Sequence, residues 1–349
     1  MTRPRVYLDH NATMPLRPEA RAAMAAAMDV CGNPSSVHAE GRAAKALIET
    51  ARAQVAEAVG ALDADIVFTS GATEAAALAL AGRGLHGAAI EHDAVGAWVD
   101  DSLPVDANGH VTVTDPARST LQLANSETGI LQTLPQGLAV SDMTQAIGKI
   151  PVAFSWSGVD MALISAHKFG GPKGVGALIL RRGLDVDPRI RGGGQEMGRR
   201  SGTENILGIA GMGAAIAAAM RDLEAGVWER VAEIRNILEI TLSSDASSTI
   251  FVGKEAERLP NTSCIVTPGW KGETQVMQMD LAGVAISAGS ACSSGKVRAS
   301  RVLRAMGLDE TAAASAIRVS LGPETREDDV LRFAEAWTKA RQRVLAKAG

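Results

Sequence analysis

The stretch MALISAHKFGGPKGVGALIL, residues 161–180, decides how this chain is read. Met161–Ile164 is an apolar run with the length of a buried strand, and Ser165, Ala166, His167 and Lys168 follow it directly. A lysine leaving a buried strand is partly desolvated; its pKa falls and its amine becomes nucleophilic enough to form a Schiff base. The glycine-rich turn after it gives the backbone room beside a bulky planar ligand, and a second apolar run, GALIL (176–180), closes the unit. The turn does not fit the GxxxxGK[ST] pattern, so a nucleotide-binding P-loop is set aside.

Outward from this point the pattern repeats. Short apolar runs IVFT (66–69), AAI (88–90), TLQLA (120–124) and LAV (138–140) alternate with helical or loop segments, which predicts an α/β fold with a mostly parallel sheet flanked by helices. Polar residues follow most of these runs: Ser70-Gly71-Ala72-Thr73, His92, Asn125 and Asp142. Ligands of open α/β sheets bind beyond the carboxyl ends of the strands, so these residues are expected to share one crevice. Residues 39–61 carry apolar positions at helical spacing, and residues 220–242 read as one long helix leaving the first lobe. Short strands resume near residue 250, around Cys264 and Val284–Ser287, and two helices are expected at 300–306 and 328–346. The expected organisation is a large domain over 15–225 and a smaller α+β domain from 1–14 and 226–349, with the first strand packing on the smaller domain.

With 349 residues the chain is long enough for two lobes. A net charge of −4 without a long run of one sign argues against nucleic acid or an anionic membrane as partner. No apolar stretch is expected to cross a membrane, no signal peptide is recognised, and the cytoplasm is the expected location. Aromatic residues make up 3% of the chain, so the core is expected to be aliphatic. The three cysteines, Cys31, Cys264 and Cys292, form neither a disulfide framework nor a zinc pattern.

FTSGATEAAALAL (68–80) is a strand, a tight turn and a helix start. The N–H groups of such a helix start, with the Thr73 hydroxyl, bind anions; plain N-capping by Ser70 or Thr73 satisfies the same residues. An anion cradle, a strand-end aspartate and a desolvated lysine beside Ser165 and His167 together suggest pyridoxal 5'-phosphate (PLP). Cys292 lies in AISAGSACSSGK (285–296), among residues too small to shield it, which suits an accessible, reactive thiolate.

The motifs YLDHNAT (7–13), NPSSVHAEGRAAK (33–45), SGATEA (70–75), EHDAV (91–95), ANSETG (124–129), TQAIGK (144–149), SAHKFGGPKGVGAL (165–178), GGGQEMGRRSGTEN (192–205), SAGSACSSG (287–295) and IRVSLG (317–322) occur in order. This set resembles the cysteine desulfurases of the NifS/IscS type, class-V members of the fold-type I PLP enzymes. The resemblance implies that Lys168 holds PLP and moves protons at the substrate Cα, while Asp142 pairs with the pyridinium nitrogen. It implies that Gln145 bonds the ring hydroxyl, that His92 stacks on the ring, and that Ala72, Thr73, Ser165 and His167 hold the phosphate. Thr203 resembles a residue that reaches the phosphate of a neighbouring subunit, implying a homodimer. Asn125 is expected beside cofactor and substrate, and Arg318 is expected to clamp the substrate carboxylate.

The implied reaction takes L-cysteine to L-alanine, with sulfur passing to Cys292 as a persulfide and then to an acceptor such as an iron–sulfur scaffold. Another class-V PLP lyase, such as one acting on selenocysteine, and a non-catalytic scaffold paralogue are the alternatives. Cys31, Cys264 and His38 are read as structural. Met14 stands where the family commonly has threonine, and the stretches 93–118 and 148–160 are compact.

Overall fold

The structure is a computed structural model that describes residues 4–245, 249–289 and 299–348. Cys292 lies outside the described residues.

The chain begins with strand β1 (Val6–Tyr7) and helices α1 (Pro18–Met28) and α2 (Ala39–Ala58). Ala44, Ile48, Ala51 and Val55 of α2 recur on one face and are buried, as the helical spacing predicts. His38 is the N-cap of α2, its side chain accepting from Gly41 N, which explains a histidine that has no place in the chemistry. Strand β2 (Ala64–Thr69), helix α3 (Ala72–Leu80), strand β3 (His86–Ala88), the short helix α4 (Asp93–Gly96) and strand β4 (Asp100–Leu103) follow. Next come β5 (Ser141–Asp142), the short helix α5 (Phe154–Ser157), β6 (Met161–Ser165) and β7 (Gly176–Arg181).

The strand order β2-β7-β6-β5 is extended through segment 119–123, whose Leu121 and Leu123 N–H groups donate to Val140 and Asp142. Thr120 N donates to His86 O, and β3 pairs β4 in parallel. The sheet is mostly parallel as predicted; β7 alone runs antiparallel to both neighbours, β2 and β6. Alternate residues feed cores on its two faces: Ile66 and Phe68 on one, Val67, Leu163 and Leu178 on the other. Burial of both faces is why these strands read as continuous apolar runs. The AAI run is shifted, with strand structure over His86–Ala88 and Ile90 in the turn that leads to His92.

The single helix expected over 220–242 is two: α6 (Ile206–Glu224) and α7 (Val227–Asp245). Gly226, at φ 71°, turns the chain between them in a conformation that L-residues rarely adopt. By length and composition α6 could cross a membrane, against the sequence expectation. Its apolar residues, among them Ile209, Met212 and Ile216, are buried where α1 and α2 pack on it. Apolarity all round marks a core helix here.

The remaining chain forms β8 (Ile250–Val252), β9 (Thr262–Val266), α8 (Gly272–Leu281), β10 (Val284–Ala285), β11 (Ser287–Ala288), α9 (Arg301–Ala305), α10 (Glu310–Ala314), β12 (Ala316–Ser320) and α11 (Glu327–Ala348). The sheet β11-β12-β9-β8 is antiparallel throughout. β1 pairs β10 in parallel, and Asp9 bridges Ser320, so the amino terminus is built into this part of the molecule. The aliphatic-core expectation fails here: Trp228, Trp270, Phe333 and Trp337 are buried together, and Trp337 donates its indole N–H to Gln275 (2.9 Å). The scarce aromatic residues are divided between two cores: these four share one, and Phe68, Phe154 and Phe169 lie in the core around Ile48.

Candidate active site

A cavity of about 710 Å³ opens at the carboxyl ends of β2, β5 and β6. Its volume is that of a cofactor-sized site. Lys168 ends the short 3-10 turn after β6, and its Nζ donates to the carbonyls of Asn11 (2.6 Å) and Ala12 (3.0 Å). His167 lies beside it, with Nδ1 3.3 Å from Thr13 Oγ1. Burial, then the cations Lys168, Lys173 and Lys149, push the His167 pKa down to about 4. This imidazole is neutral at ordinary pH. Asp142 ends β5; its Oδ1 accepts from Thr144 N (2.9 Å), which fixes the carboxylate on the cavity wall. Gln145 lines the same wall, and its Nε2 donates to Asn11 O (2.9 Å). His92 caps α4, its Nδ1 accepting from Ala94 N (3.1 Å), so the ring proton is assigned to Nε2. His92 also faces the cavity.

Ser70, Gly71, Ala72, Thr73 and Ser165 form one end of the cavity. Among the described residues no side chain caps α3, so neither Ser70 nor Thr73 acts as its N-cap. Glu74 takes Ser70 N (2.7 Å) and is itself held by Arg200 (2.9 Å), leaving the helix start turned to the cavity. Gly71 sits at φ 156°, ψ 177°, a region open almost solely to glycine. A Cβ built there would lie 3.8 Å from Ser165 Oγ, so the missing side chain is part of the space.

Arg318 faces this group from β12 and is 2% exposed. Its NH2 donates to Asp9 Oδ1 (2.9 Å) and its NH1 to Ser126 O (3.0 Å). Its buried Nε has no hydrogen-bond partner among the described residues, which leaves donor capacity for an anion. Cys264 pairs with Arg318 across β9 and β12, fully buried, and burial pushes its thiol up. That thiol is a small hydrophobe. Cys31 is exposed on the surface.

The structure thus brings Ala72, Thr73, His92, Asp142, Gln145, Ser165, His167, Lys168 and Arg318 to one cavity. Asn125 differs from expectation. Its Oδ1 accepts from Glu127 N, Thr128 N and Thr128 Oγ1, and its Nδ2 donates to Ile90 O; it holds a turn behind the wall made by Ala124 and Ser126. Thr203 is exposed and does not line the cavity of its own chain. Sequence reasoning missed four polar residues near the site. Asn11 and Lys149 are fully buried, and each lies in a motif whose chemistry points elsewhere. Glu91 and Glu127 are also buried, and burial pushes their carboxyls up to about 8 and about 7.

The Aminotransferase class-V family profile matches residues 6–95 and 119–333; the intervening segment overlaps the compact stretch noted above. A cysteine desulfurase of Cereibacter sphaeroides is 40% identical, over 95% of this chain and 94% of its own. An IscS-like cysteine desulfurase of Mycobacterium tuberculosis is 35% identical, over 98% and 99%. Among solved structures, a NifS-like protein from Rickettsia africae superposes with a TM-score of 0.88 at 33% identity, covering 97% of this chain and 99% of that one. Matches this long, on a fold that gathers the strand-end residues into one cavity, establish that the chain belongs to the class-V aminotransferase family.

Proposed function

We propose that this protein is a PLP-dependent cysteine desulfurase. The observation that carries the reading is the convergence of Lys168, Asp142, His167 and Arg318 on one cavity in a class-V chain. The residues present fit the cofactor. An uncapped helix start with Ser165 and Thr73 suits a phosphate, the Asp142 carboxylate suits a ring nitrogen, and Lys168 supplies the amine. When bound, PLP supplies an electron sink for carbanionic character at the Cα of an amino acid.

The remaining work belongs to the chain. Asp142, already oriented by Thr144 N, holds the ring nitrogen protonated. Lys168 would accept and return the proton at the substrate Cα, and His92, which lines the cavity, would help hold the ring. Arg318, steadied by Asp9 and Ser126, binds the substrate carboxylate and turns its thiol toward the approach of Cys292. Cys292 is the nucleophile: the C–S bond of L-cysteine breaks, an S–S bond forms on Cys292, and alanine takes up a proton at Cβ. Enzyme thiol and cysteine give enzyme persulfide and alanine, so atoms and electrons balance. The persulfide then passes to an acceptor thiol, such as that of an iron–sulfur assembly scaffold.

The same reading gives a cytoplasmic homodimer in which Thr203 serves the partner's cavity. It also gives two lobes, 15–225 and 1–14 with 226–349. The separate hydrophobic cores around Ile48 and around Trp337 support that division. The test is reconstitution with PLP, borohydride reduction and peptide mass mapping. Cofactor locked onto the Lys168 peptide is the expected result; label on another lysine, or none, overturns the assignment.

A further inference from the structure

Lys149 is a lysine 1% exposed, on the segment after Asp142 and Gln145, with no carboxylate within ion-pair distance among the described residues. Its Nζ lies 2.7 Å from Gln145 Oε1, 3.1 Å from Gln145 O and 3.5 Å from Asn11 Oδ1. All three contacts are acceptors, and their identity is fixed by further bonds. Gln145 Nε2 donates to the Asn11 carbonyl, which leaves Oε1 as the atom facing Lys149. Asn11 Nδ2 donates to Ser126 O and Thr262 Oγ1, and Asn11 Oδ1 accepts from Asn261 Nδ2, so its amide has a single orientation. Three acceptors around one amine call for an ammonium with three donors. Burial, then Lys168 and Arg318, push its pKa the other way, so holding an amine here is costly. A buried lysine without a counter-charge adds little to stability, whereas an apolar residue would fill the space at lower cost.

We propose that Lys149 is a positioning residue: it binds Gln145 Oε1 and thereby fixes the Gln145 amide with its remaining N–H directed to the cavity. One N–H of that amide is taken by Asn11 O, and Oε1 by Lys149. Among the described residues the second N–H has no acceptor, and it belongs to a residue that lines the cavity. A donor of fixed sense at that point selects a ligand carrying an acceptor, such as a phenolate oxygen, over one presenting a donor. The bond network also ties the amide to Asn11, whose carbonyl receives Lys168 Nζ (2.6 Å), so Lys149 sets Gln145 and the lysine amine in one frame.

This inference rests on PLP as the ligand, and the experiment separates the two. Lys149→Met is titrated with PLP beside wild type, Gln145→Ala and the double variant, following the visible absorbance of bound cofactor and its pH midpoint. Wild type without a visible band overturns the cofactor reading. With that band present, Lys149→Met is expected to weaken PLP binding on the order of tenfold, the worth of one hydrogen bond to a charged group, and to move the pH midpoint. In the Gln145→Ala background the same change should move neither. A midpoint unchanged in Lys149→Met, or shifts of equal size in both backgrounds, overturns the positioning role. Should the Met variant lose its native circular dichroism, Lys149→Leu, which likewise lacks a donor, carries the same comparison, and Lys149→Gln, which keeps two donors, should stay closer to wild type in both readings.

Discussion

The two walls of the cavity are built in opposite ways. One is made of strand ends: Asp142, Ser165, His167 and Lys168 lie within 26 positions of one another and emerge from adjacent strands β5 and β6. The other is assembled from far apart in the chain. Arg318 reaches Asp9 across 309 positions and Ser126 across 192, while Asn11 meets Asn261 across 250. The first wall gathers whenever one sheet forms. The second exists once the amino-terminal segment has docked on the antiparallel sheet, because β1 pairs β10 and Asp9 bridges Ser320. On the proposed reading, covalent cofactor capture falls to the first wall and substrate capture to the second, and the two meet where Lys168 Nζ donates to the carbonyls of Asn11 and Ala12.

Lys168→Ala should break the first wall most severely. Visible cofactor absorbance should vanish, and turnover should fall by about 10⁴-fold or more, since nucleophile and proton carrier are lost together. Residual turnover near the wild-type rate would remove Lys168 from the chemistry. Asp142→Asn keeps the size and the Thr144 contact but lacks the charge that holds a proton on a ring nitrogen. Turnover should drop by roughly 10²–10⁴-fold with PLP still bound, measured by steady-state kinetics on reconstituted protein.

Arg318→Lys addresses the second wall. Lysine cannot hold Asp9, Ser126 O and a carboxylate in one plane, so KM for cysteine should rise by about 10–100-fold with the cofactor spectrum unchanged. Equal losses in PLP affinity would mean that the walls are not separable.

Glu91 sits behind the first wall and sharpens the contrast between chemistry and support. Its Oε1 accepts from Gln122 N (2.8 Å), and its buried Oε2 has no partner among the described residues. Burial, opposed by the Gln122 bond, pushes its carboxyl up from 4.5 to about 8. The folded state therefore keeps the proton while the unfolded chain loses it, and this stability drains away as pH rises between those values. Glu91→Gln removes that dependence. Its melting temperature should exceed wild type by about 6 °C near pH 8.5 and match it near pH 4, with activity little changed. The same advantage at both pH values would contradict the assignment.

Most of the first wall was legible because each residue follows a run of apolar residues that commits its backbone to a strand. The shifted β3 and the irregular strand at 119–123 were blurred by short runs, where length does not separate strand from turn. The helix pair α6 and α7 was misread because Gly226 is one residue inside an otherwise continuous amphipathic pattern. Asn125 was placed at the ligand by resemblance, while its own amide is consumed by the local turn, as short polar side chains after a strand commonly are. Lys149 carried no signal at all. A lysine is expected at the surface, whereas this one is buried, and one of its contacts is Asn11, 138 positions away.

The most direct measurement is alanine and persulfide formation from L-cysteine by the PLP-loaded protein, beside its Cys292→Ala variant. Wild type should form alanine and persulfide in step, while Cys292→Ala keeps the visible cofactor band and forms neither. No alanine from cofactor-loaded wild type, or undiminished alanine from Cys292→Ala, would contradict the account.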